Sequence, residues 1–543
     1  MTTPETLPAA LRAVAATYPE RPAVVDGDVR LSWTELHHRV VQTARGYRAL
    51  GLKSGDSVCI WAPNTWEWIV AGLAISYAGG VLVPLNTRYK GHEVVDVALR
   101  TSTTLMVVAD GFLGREQASE VRTAAAEVAA SEGRDVNEAD AVPGLPSVRA
   151  LVRIGTGTLP GTADFATLAE LGEQVPLNEI EAVADAVSPD DIADILFTSG
   201  TTGRSKGVLT THSQTIAAAE VWGTTGEVTV DDRYLVISPF FHSYGYKVGL
   251  VTAVLKGCAL YPVAAFNADA ALDLIAAEKI SVLPGAPTIF HSLLESEKFA
   301  TTDTRSLRLA NTGAASVPQV LVERMHSELN FDRVATAFGM TECVMATMCR
   351  PGDSDELVAT TCGRALPGVE LRIAKAGTSE ALPAGSEGEV LLRGPMVMVG
   401  YLDDPEATAD AIDTDGWLHT GDVGIVDEAG YLRITDRLKD MYISGGFNVY
   451  PAEVEQALAR LDGVVEAAVI GVPDDRMGEV GKAYVVRRAE ATVTADEVIA
   501  FARERIANFK VPRYVEFVDQ LPRNLSGKVL KNELRATSSP KGH

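Results

Sequence analysis

Cysteine is scarce in this chain of 543 residues. There are only five, an odd number, and no two of them form a Cys-x-x-Cys pair. This usage argues against a disulfide framework and against a zinc ribbon, and it favours a reducing, cytoplasmic location.

Long uncharged apolar runs are also scarce. The longest covers residues 69–85, and it is interrupted by Gly79-Gly80. A membrane-spanning helix needs about 20 apolar residues, so we predict a buried helix, a turn and a strand here, with no integral membrane association. The first residues, MTTPETLPAALRAVA, lack a cationic start followed by an apolar core, and we expect no signal peptide.

Positively charged residues are also scarce. The chain has 48 Lys and Arg residues against 72 Asp and Glu residues, which gives a net charge of −24. This balance argues against nucleic acid or an anionic membrane as the main partner. Apolar residues nevertheless make up 46% of the chain, enough for large cores. At roughly 150 residues per domain, the length predicts three or four folding units.

Strand-like and helical patterns alternate along most of the chain, which predicts an α/β fold with mainly parallel sheets. The strand-like runs include VLVP at 81–84, LMVV at 105–108 and ILF at 195–197, and helical patterns cover 33–50 and 270–279. In such folds ligands bind at loops that follow the carboxyl ends of strands.

Two changes of pattern predict the domain organisation. Short alternating runs between residues 363 and 400 indicate a small antiparallel, barrel-like β unit, and Pro451 and the capping box Thr494–Glu497 belong to a small α+β pattern near the end. We predict a large layered α/β domain at 1–436 with a β-rich subdomain at about 345–430, a hinge at 437–440 and a small mobile α+β domain at 441–543.

The segment TSGTTGRSKGV, from Thr198 to Val208, has the composition of a phosphate-binding loop. Glycines let backbone N–H groups approach an anion, hydroxyls donate further hydrogen bonds and Lys206 adds charge. The Walker A pattern fails, because Ser205 stands where a glycine must precede the lysine. A flexible polar surface loop is the alternative interpretation.

Five segments in order resemble the signature motifs of the adenylate-forming superfamily, which contains acyl-CoA synthetases, luciferases and the adenylation domains of peptide synthetases. They are TSGTTGRSKG from Thr198, AFGMTE from Ala337, GWLHTGD from Gly416, DRLKD from Asp436 and PRNLSGK from Pro522. The resemblance covers nearly the whole chain. It implies a two-step ligation, in which a carboxylate attacks the α-phosphate of ATP and a thiol, usually coenzyme A, then displaces AMP.

The first step brings two anions together, and like charges at about 4 Å repel by roughly 4 kcal/mol at an effective dielectric near 20. The resemblance therefore implies a set of cations and N–H donors around ATP, with Mg²⁺ held by Glu342. It assigns catalysis to Lys528, Thr341 and Glu342. The residues that it assigns to ATP are Thr198, Ser199, Gly200, Thr201, Thr202, Gly203, Lys206, Gly313, Ala314, Ala315, Phe338, Gly339, Met340, Thr341, Asp422, Arg437 and Lys528.

Within that set, the loop would hold the β- and γ-phosphates, Thr341 would contact the α-phosphate, and Asp422 with Arg437 would bind the ribose. Gly313-Ala314-Ala315 would lie against the adenine, with Phe338 stacked on it; a tight core turn is the alternative for this segment. Lys528 would bridge the substrate carboxylate and the α-phosphate.

The resemblance also implies that the small domain rotates about Lys439 after the first step. Ser444, Gly445, Gly446 and Phe447 would then reach the active site and let the pantetheine arm of coenzyme A pass. A plain hairpin turn at the two glycines, and a surface charge cluster around Lys439, are the alternatives.

Phe241, His242, Tyr244 and Gly245 would line the acyl pocket. Amino-acid-activating relatives place an aspartate where His242 falls, so a free amino acid is disfavoured; a structural role for this histidine stays open. The stretches PFFHSYGYK, VATTCGRALPG and DRLKDMYISGGFNVYPAEVEQ are most similar to actinobacterial acyl-CoA ligases of steroid ring breakdown, which act on a propanoate attached to a methyl-hexahydroindanedione.

Two alternatives stay open: a ligase for medium-chain fatty or aryl carboxylates, and a catalytically silent nucleotide sensor on the same fold. The expected partners are a small carboxylic acid, ATP and coenzyme A. The oligomeric state is open, with a homodimer as one option.

Overall fold

The computed structural model describes residues 3–155, 159–198, 205–313, 317–437, 440–444, 447–449, 451–474, 477–489, 491–503, 506, 508–523 and 528–538. Within this part of the chain, no helix is both long and apolar enough to cross a membrane.

The helices are mostly short and alternate with strands. In chain order the α-helices are α1 (Leu7–Thr17), α2 (Trp33–Ala49), α3 (Trp66–Tyr77), α4 (Gly91–Arg100), α5 (Gln117–Ser131), α6 (Leu168–Leu171), α7 (Leu177–Ala186), α8 (His212–Thr225), α9 (Thr252–Lys256), α10 (Ala268–Glu278), α11 (Pro287–Glu295), α12 (Gln319–Ser327), α13 (Asp355–Thr360), α14 (Pro405–Ala411), α15 (Pro451–Leu458), α16 (Ala495–Arg503) and α17 (Lys531–Ser538). Short 3₁₀ turns cover Phe112–Gly114, Phe165–Thr167, Gly172–Gln174, Glu297–Thr301 and Asn508–Lys510, and a π-helix covers Tyr244–Val251.

The strands are β1 (Pro22–Asp26), β2 (Val29–Ser32), β3 (Ser57–Trp61), β4 (Val81–Pro84), β5 (Leu105–Ala109), β6 (Ala150–Ile154), β7 (Ala163–Asp164), β8 (Ile192–Thr198), β9 (Lys206–Thr211), β10 (Arg233–Val236), β11 (Ala259–Pro262), β12 (Val282–Pro284), β13 (Leu309–Thr312), β14 (Arg333–Met340), β15 (Cys343–Met348), β16 (Arg364–Ala365), β17 (Glu370–Ala374), β18 (Glu387–Arg393), β19 (Gly400–Tyr401), β20 (Leu418–Val426), β21 (Leu432–Arg437), β22 (Tyr442–Ser444), β23 (Phe447–Val449), β24 (Val464–Asp474), β25 (Gly478–Arg487) and β26 (Tyr514–Val518).

Two large sheets form the body of the molecule. One has the order β16-β15-β14-β13-β12-β10-β11-β1-β2, and the other has the order β19-β9-β8-β4-β3-β5-β6-β7. Their central strands run parallel, and antiparallel pairing is confined to the ends of each sheet. The predicted α/β architecture with mainly parallel sheets is confirmed.

A single large apolar cluster joins the two sheets. Ile60 of β3 and Leu235 of β10 both belong to it, and both are fully buried. The helix α3 (WEWIVAGLAISY) is apolar on nearly all sides and is packed inside this cluster, as expected for a helix covered by protein all round.

Local sequence fixes where the main helices begin. Ser32 and Glu35 form a capping box at the start of α2, and Thr211 and Gln214 form one at the start of α8. Each box satisfies backbone N–H groups that a helix N-terminus leaves without partners. The second box fixes the point where β9 turns into α8.

The remaining sheets are smaller. An antiparallel sheet in the order β17-β18-β20-β21 is built from four strands between Glu370 and Arg437. The last sheet has the order β23-β22-β25-β24, with β26 parallel to β25, and α15 and α16 pack on it. Pro451 begins α15 and the Thr494–Glu497 capping box forms the N-terminus of α16, as the sequence predicts.

Candidate active site

The two ends of the glycine-rich loop are held by a β-hairpin. Thr198 ends β8 and Lys206 begins β9, and the two residues are register partners. The Thr198 hydroxyl donates to the Lys206 carbonyl oxygen at 3.4 Å, and Arg100 donates to the Ser205 carbonyl oxygen at 2.7 Å. The intervening Ser199, Gly200, Thr201, Thr202 and Gly203 lie outside the described residues. The described part of the loop is therefore its stem.

A third strand brings an aromatic ring to Lys206. The strand β19 pairs with β9, and Tyr401 lies opposite Val208. The Lys206 ammonium lies 4.7 Å from the centroid of the Tyr401 ring, the geometry of a cation–π contact.

The same tyrosine holds the acidic residue of the aromatic-Gly-x-Thr-Glu motif. Its hydroxyl donates to Glu342 Oε1 at 2.8 Å, and the Met398 N–H donates to the Glu342 carbonyl oxygen at 2.8 Å. Glu342 is only 7% exposed. Burial and the charge of this carboxylate raise the pKa of Tyr401, so the phenol stays a donor. Lys206 and Glu342, which are 136 positions apart in sequence, are thus brought to one tyrosine.

Thr341 and Glu342 lie in a tight turn between β14 and β15. Met340 and Cys343 are register partners across it, and Thr341 is half-buried. Gly339 makes this turn possible, because a Cβ there would lie 2.0 Å from the Val344 carbonyl oxygen. Only glycine permits such a close backbone approach.

Phe338, Met340 and Gly313 lie near this turn in the fold. Phe338 and Met340 are half-buried in β14, and Gly313 directly follows β13, the parallel neighbour of β14. At the end of β13, Asn311 Nδ2 and Thr312 Oγ1 are buried without a hydrogen-bond partner among the described residues. Ala314 and Ala315 lie outside those residues.

The antiparallel sheet presents Asp422. This aspartate is 4% exposed in β20, and its register partner in β21 is Arg437. Its backbone N–H donates to the Thr420 hydroxyl oxygen at 3.1 Å. For Arg437, only the backbone position is described.

The four acyl-pocket candidates lie at the start of the π-helix. Phe241 and Tyr244 are half-buried, and His242 is exposed. The Tyr244 N–H donates to His242 Nδ1 at 3.2 Å, which favours a neutral imidazole. Gly245 has a packing role, because a Cβ there would lie 2.2 Å from the Pro239 carbonyl oxygen.

The C-terminal candidates are described only in part. Lys528 precedes α17, and Ser444 is 2% exposed at the end of β22, where it pairs with Phe447 and Gly478. For Phe447, only the backbone position in β23 is described. Lys439, Gly445 and Gly446 lie outside the described residues.

The sequence motifs miss two features near this site. One is Tyr401, which belongs to none of the five motifs. The other is Lys247 of the π-helix, which is completely buried and forms a 3.0 Å ion pair with Asp194 of β8. A signal for the second exists in the sequence: a single lysine stands in the otherwise apolar run YGYKVGLVTAV.

Two profiles of known families match the chain. The AMP-binding enzyme family matches residues 11–402, and the AMP-binding enzyme C-terminal domain matches residues 453–528. The first match alone covers more than half of the chain and contains the glycine-rich loop, the Glu342 turn and Tyr401.

Individual proteins match over nearly the full length. An enzyme of Rhodococcus jostii named 3-[(3aS,4S,7aS)-7a-methyl-1,5-dioxo-octahydro-1H-inden-4-yl]propanoyl:CoA ligase is 53% identical, covering 98% of both chains. An enzyme of the same name from Mycobacterium tuberculosis is 52% identical over 98% of both chains. The crystal structure of ATP-bound MatB from Rhodopseudomonas palustris superposes with a TM-score of 0.85 at 32% identity, covering 98% of both chains. The resemblance seen in the motifs is confirmed, and the chain belongs to the AMP-binding enzyme family of adenylate-forming enzymes.

Proposed function

We propose that this protein is an AMP-forming acid–thiol ligase that converts the propanoate of a methyl-indanedione, the fused two-ring remnant of a steroid, into its CoA thioester. The observation that carries this proposal is the 53% identity, over 98% of both chains, with a Rhodococcus enzyme named for that acyl group. Its place would be in bacterial sterol breakdown.

The described residues suit ATP. Lys206 supplies a cation at one end of the phosphate loop, and the paired strands β8 and β9 fix both ends of that loop. Asn311 Nδ2 and Thr312 Oγ1 are buried polar atoms that lack a partner in the described structure, next to the segment assigned to adenine. A polar ligand at this edge of the sheet would satisfy them.

Mg²⁺ would be held by Glu342. This ion prefers oxygen ligands and usually keeps several waters together with substrate phosphates, so one protein carboxylate is a sufficient anchor. Its chemistry would be to neutralise charge on the phosphates. Glu342 is fixed for this role by its hydrogen bond from Tyr401.

In the first step the substrate carboxylate attacks the α-phosphate, a bond from oxygen to phosphorus forms, and pyrophosphate leaves. Lys206 and the loop would bind the leaving pyrophosphate, while Thr341 and Lys528 would neutralise charge at the α-phosphate and the carboxylate. Asp422, with Arg437, would hold the ribose hydroxyls. In the second step the CoA thiolate attacks the acyl carbon and AMP leaves.

The acyl-pocket candidates suit an acid whose acyl group is uncharged, mostly apolar and equipped with oxygen acceptors. Phe241 and Tyr244 offer aromatic surface, and the ring of His242 is favoured in its neutral form. Position 242 holds a histidine and not a carboxylate that could pair with a substrate ammonium group. A fused-ring diketone presents apolar faces and carbonyl oxygens, which match such a wall.

The test is acid-dependent exchange of labelled pyrophosphate into ATP, followed by detection of the CoA thioester. The panel contains the indanedione propanoate, a medium-chain fatty acid, an aryl acid such as ferulate, and an amino acid. We expect the indanedione propanoate to support exchange with the highest kcat/KM and the amino acid to support none.

Preference for the fatty or aryl acid would overturn the substrate while leaving the ligase reaction in place. ATP binding without exchange on any acid would overturn the enzyme itself and favour a nucleotide sensor.

A further inference from the structure

A fully buried polar cluster lies in the core beside the candidate active site. Lys247 and Asp194 are 1% and 0% exposed, and Lys247 Nζ lies 3.0 Å from Asp194 Oδ1. Lys247 also donates to the Thr210 hydroxyl at 2.6 Å. The carboxylate of Asp194 accepts from Thr210 at 2.5 Å and from Thr215 at 2.8 Å.

The cluster joins four separate elements. Asp194 lies in β8, Thr210 in β9, Thr215 in α8 and Lys247 in the π-helix. Asp194 and Thr210 are register partners, and each stands four residues from an end of the phosphate loop, at Thr198 and Lys206 respectively. Four residues of strand span about 13 Å. One polar cluster therefore connects the stem of the loop to the helix that begins the acyl pocket.

A gain in stability alone does not explain such a cluster. Removing two charges from water costs several kcal/mol per ion, and well-packed apolar residues of similar volume are often as stabilising as a buried ion pair. The ion pair differs from apolar packing because its hydrogen bonds are directional. A carboxylate that accepts from three donors on three elements is satisfied in only one arrangement of those elements. Apolar packing would allow the π-helix to rotate or slide by small amounts.

The proposed function requires such a fixed arrangement of the elements. The carboxylate of the acid must meet the α-phosphate, so the acyl wall and the phosphate loop must keep a fixed separation. Tyr244 and Gly245 are three and two residues from Lys247 on the π-helix. A displacement of about 1 Å between reacting groups can reduce a rate by roughly 100-fold.

We infer that Lys247 is a positioning residue for the carboxylic acid, which acts by tying the π-helix of the acyl pocket to the β8–β9 stem of the phosphate loop through Asp194. The expected effect on the kinetics rests on the proposed function. The connection between the π-helix and the loop stem rests on the described geometry alone.

The kinetic test uses Lys247→Met in the full-length protein, with the best acid from the panel. We expect the kcat/KM for the acid to fall about tenfold or more, because its carboxylate is displaced from the α-phosphate. The KM for ATP should stay within about twofold of the wild type, because the loop stem stays paired. The matched control is Lys256→Met, nine residues along the chain, where the lysine forms a 2.7 Å ion pair with Glu220 nearer the surface. This control should leave both constants unchanged.

A double variant separates positioning from stability. Lys247→Met alone leaves the buried Asp194 charge without its lysine and should lower the melting temperature. In Lys247→Met combined with Asp194→Asn, no buried charge is left without its partner, so the melting temperature should recover toward the wild type. We expect the kcat/KM for the acid to stay low. Recovery of that kcat/KM together with the melting temperature would show that the pair acts only on stability, and would overturn the inference.

A second readout does not depend on activity. Backbone hydrogen exchange should be faster by roughly tenfold in the π-helix of Lys247→Met, while β12 and β13 keep the wild-type protection. Unchanged exchange in the π-helix, or a uniform rise across the domain, would contradict the tie. If no acid supports pyrophosphate exchange in the wild type, the proposed function fails and this measurement still decides the tie.

Discussion

Tyr401 joins two residues that the motifs name separately. Its hydroxyl holds Glu342 at 2.8 Å, and its ring lies 4.7 Å from the Lys206 ammonium. Outer-sphere hydrogen bonds of this kind orient the residues that bind a metal and affect its affinity. The two functions of the side chain can be separated, since phenylalanine would keep the ring and lose the hydroxyl.

We predict that Tyr401→Phe raises the Mg²⁺ concentration needed for half-maximal adenylation by roughly tenfold, because Glu342 loses the donor that fixes its carboxylate. The KM for ATP measured at saturating Mg²⁺ should change little, since the ring beneath Lys206 remains. Pyrophosphate exchange titrated with Mg²⁺ gives both numbers.

The control for this change is Tyr431→Phe, which removes another tyrosine hydroxyl that donates to a carboxylate, that of Asp353, at 2.6 Å. Its Mg²⁺ dependence should match the wild type. An unaltered Mg²⁺ requirement in Tyr401→Phe would mean that the hydroxyl does not position a metal-binding Glu342.

For single residues, the sequence predicts the candidate site residues better than it predicts the side chains that hold them in place. Glu342 and Lys206 belong to motifs whose residue types and spacing indicate phosphate chemistry. Tyr401 reaches them only because β19 pairs with β9, a contact between residues nearly 200 positions apart. Neither periodicity nor local spacing carries information about such a pairing.

Elements were predictable where their patterns were long and regular. The helix expected at residues 33–50 is α2, the one expected at 270–279 is α10, and the run 69–85 is α3, a turn and β4. The sequence does not predict the π-helix at Tyr244–Val251, because its apolar pattern does not differ from that of an α-helix.

The β14–β15 turn shows how an element carries the site. Thr341 and Glu342 lie in the turn between β14 and β15. This turn can form because Gly339 lets β14 pass against the Val344 carbonyl oxygen. We predict that Gly339→Ala reduces the kcat/KM of adenylation by roughly 100-fold, since a Cβ at 2.0 Å from backbone must displace the turn that holds both residues. The measurement is pyrophosphate exchange, alongside the melting temperature.

Gly27→Ala provides the comparison for that variant. Gly27 has a φ of +57° in the β1–β2 turn, and no described atom lies within 4 Å of the position that a Cβ would take there. The change should therefore cost about 1 kcal/mol of stability and no activity. Equal loss of activity in both variants would indicate a general effect of strain rather than a displaced turn.

At the scale of the whole molecule, the antiparallel sheet β17-β18-β20-β21 is linked to the C-terminal domain. The Asp436 carboxylate accepts from the Ala452 N–H at 2.8 Å at the start of α15, and Arg535 of α17 donates to Asp440 at 3.0 Å. The chain is therefore hydrogen-bonded to helices of the small domain at two points, Asp436 near the end of β21 and Asp440 shortly before β22. Since α17 begins three residues after Lys528, movement of the small domain would carry this lysine with it.

We propose that Lys528 acts only in the first half-reaction, and that movement of the small domain withdraws it before the second. We predict that Lys528→Ala lowers adenylation by at least about 100-fold, through loss of a cation between two anions, while thioester formation from supplied acyl-AMP stays within about threefold of the wild type. The control is Lys531→Ala, which removes a lysine three residues away that forms a 2.7 Å ion pair with Glu455 inside the small domain, and both half-reactions should survive it. Equal loss of both half-reactions in Lys528→Ala would contradict a lysine that serves one step and withdraws for the next, because a residue needed in a single domain arrangement cannot limit both.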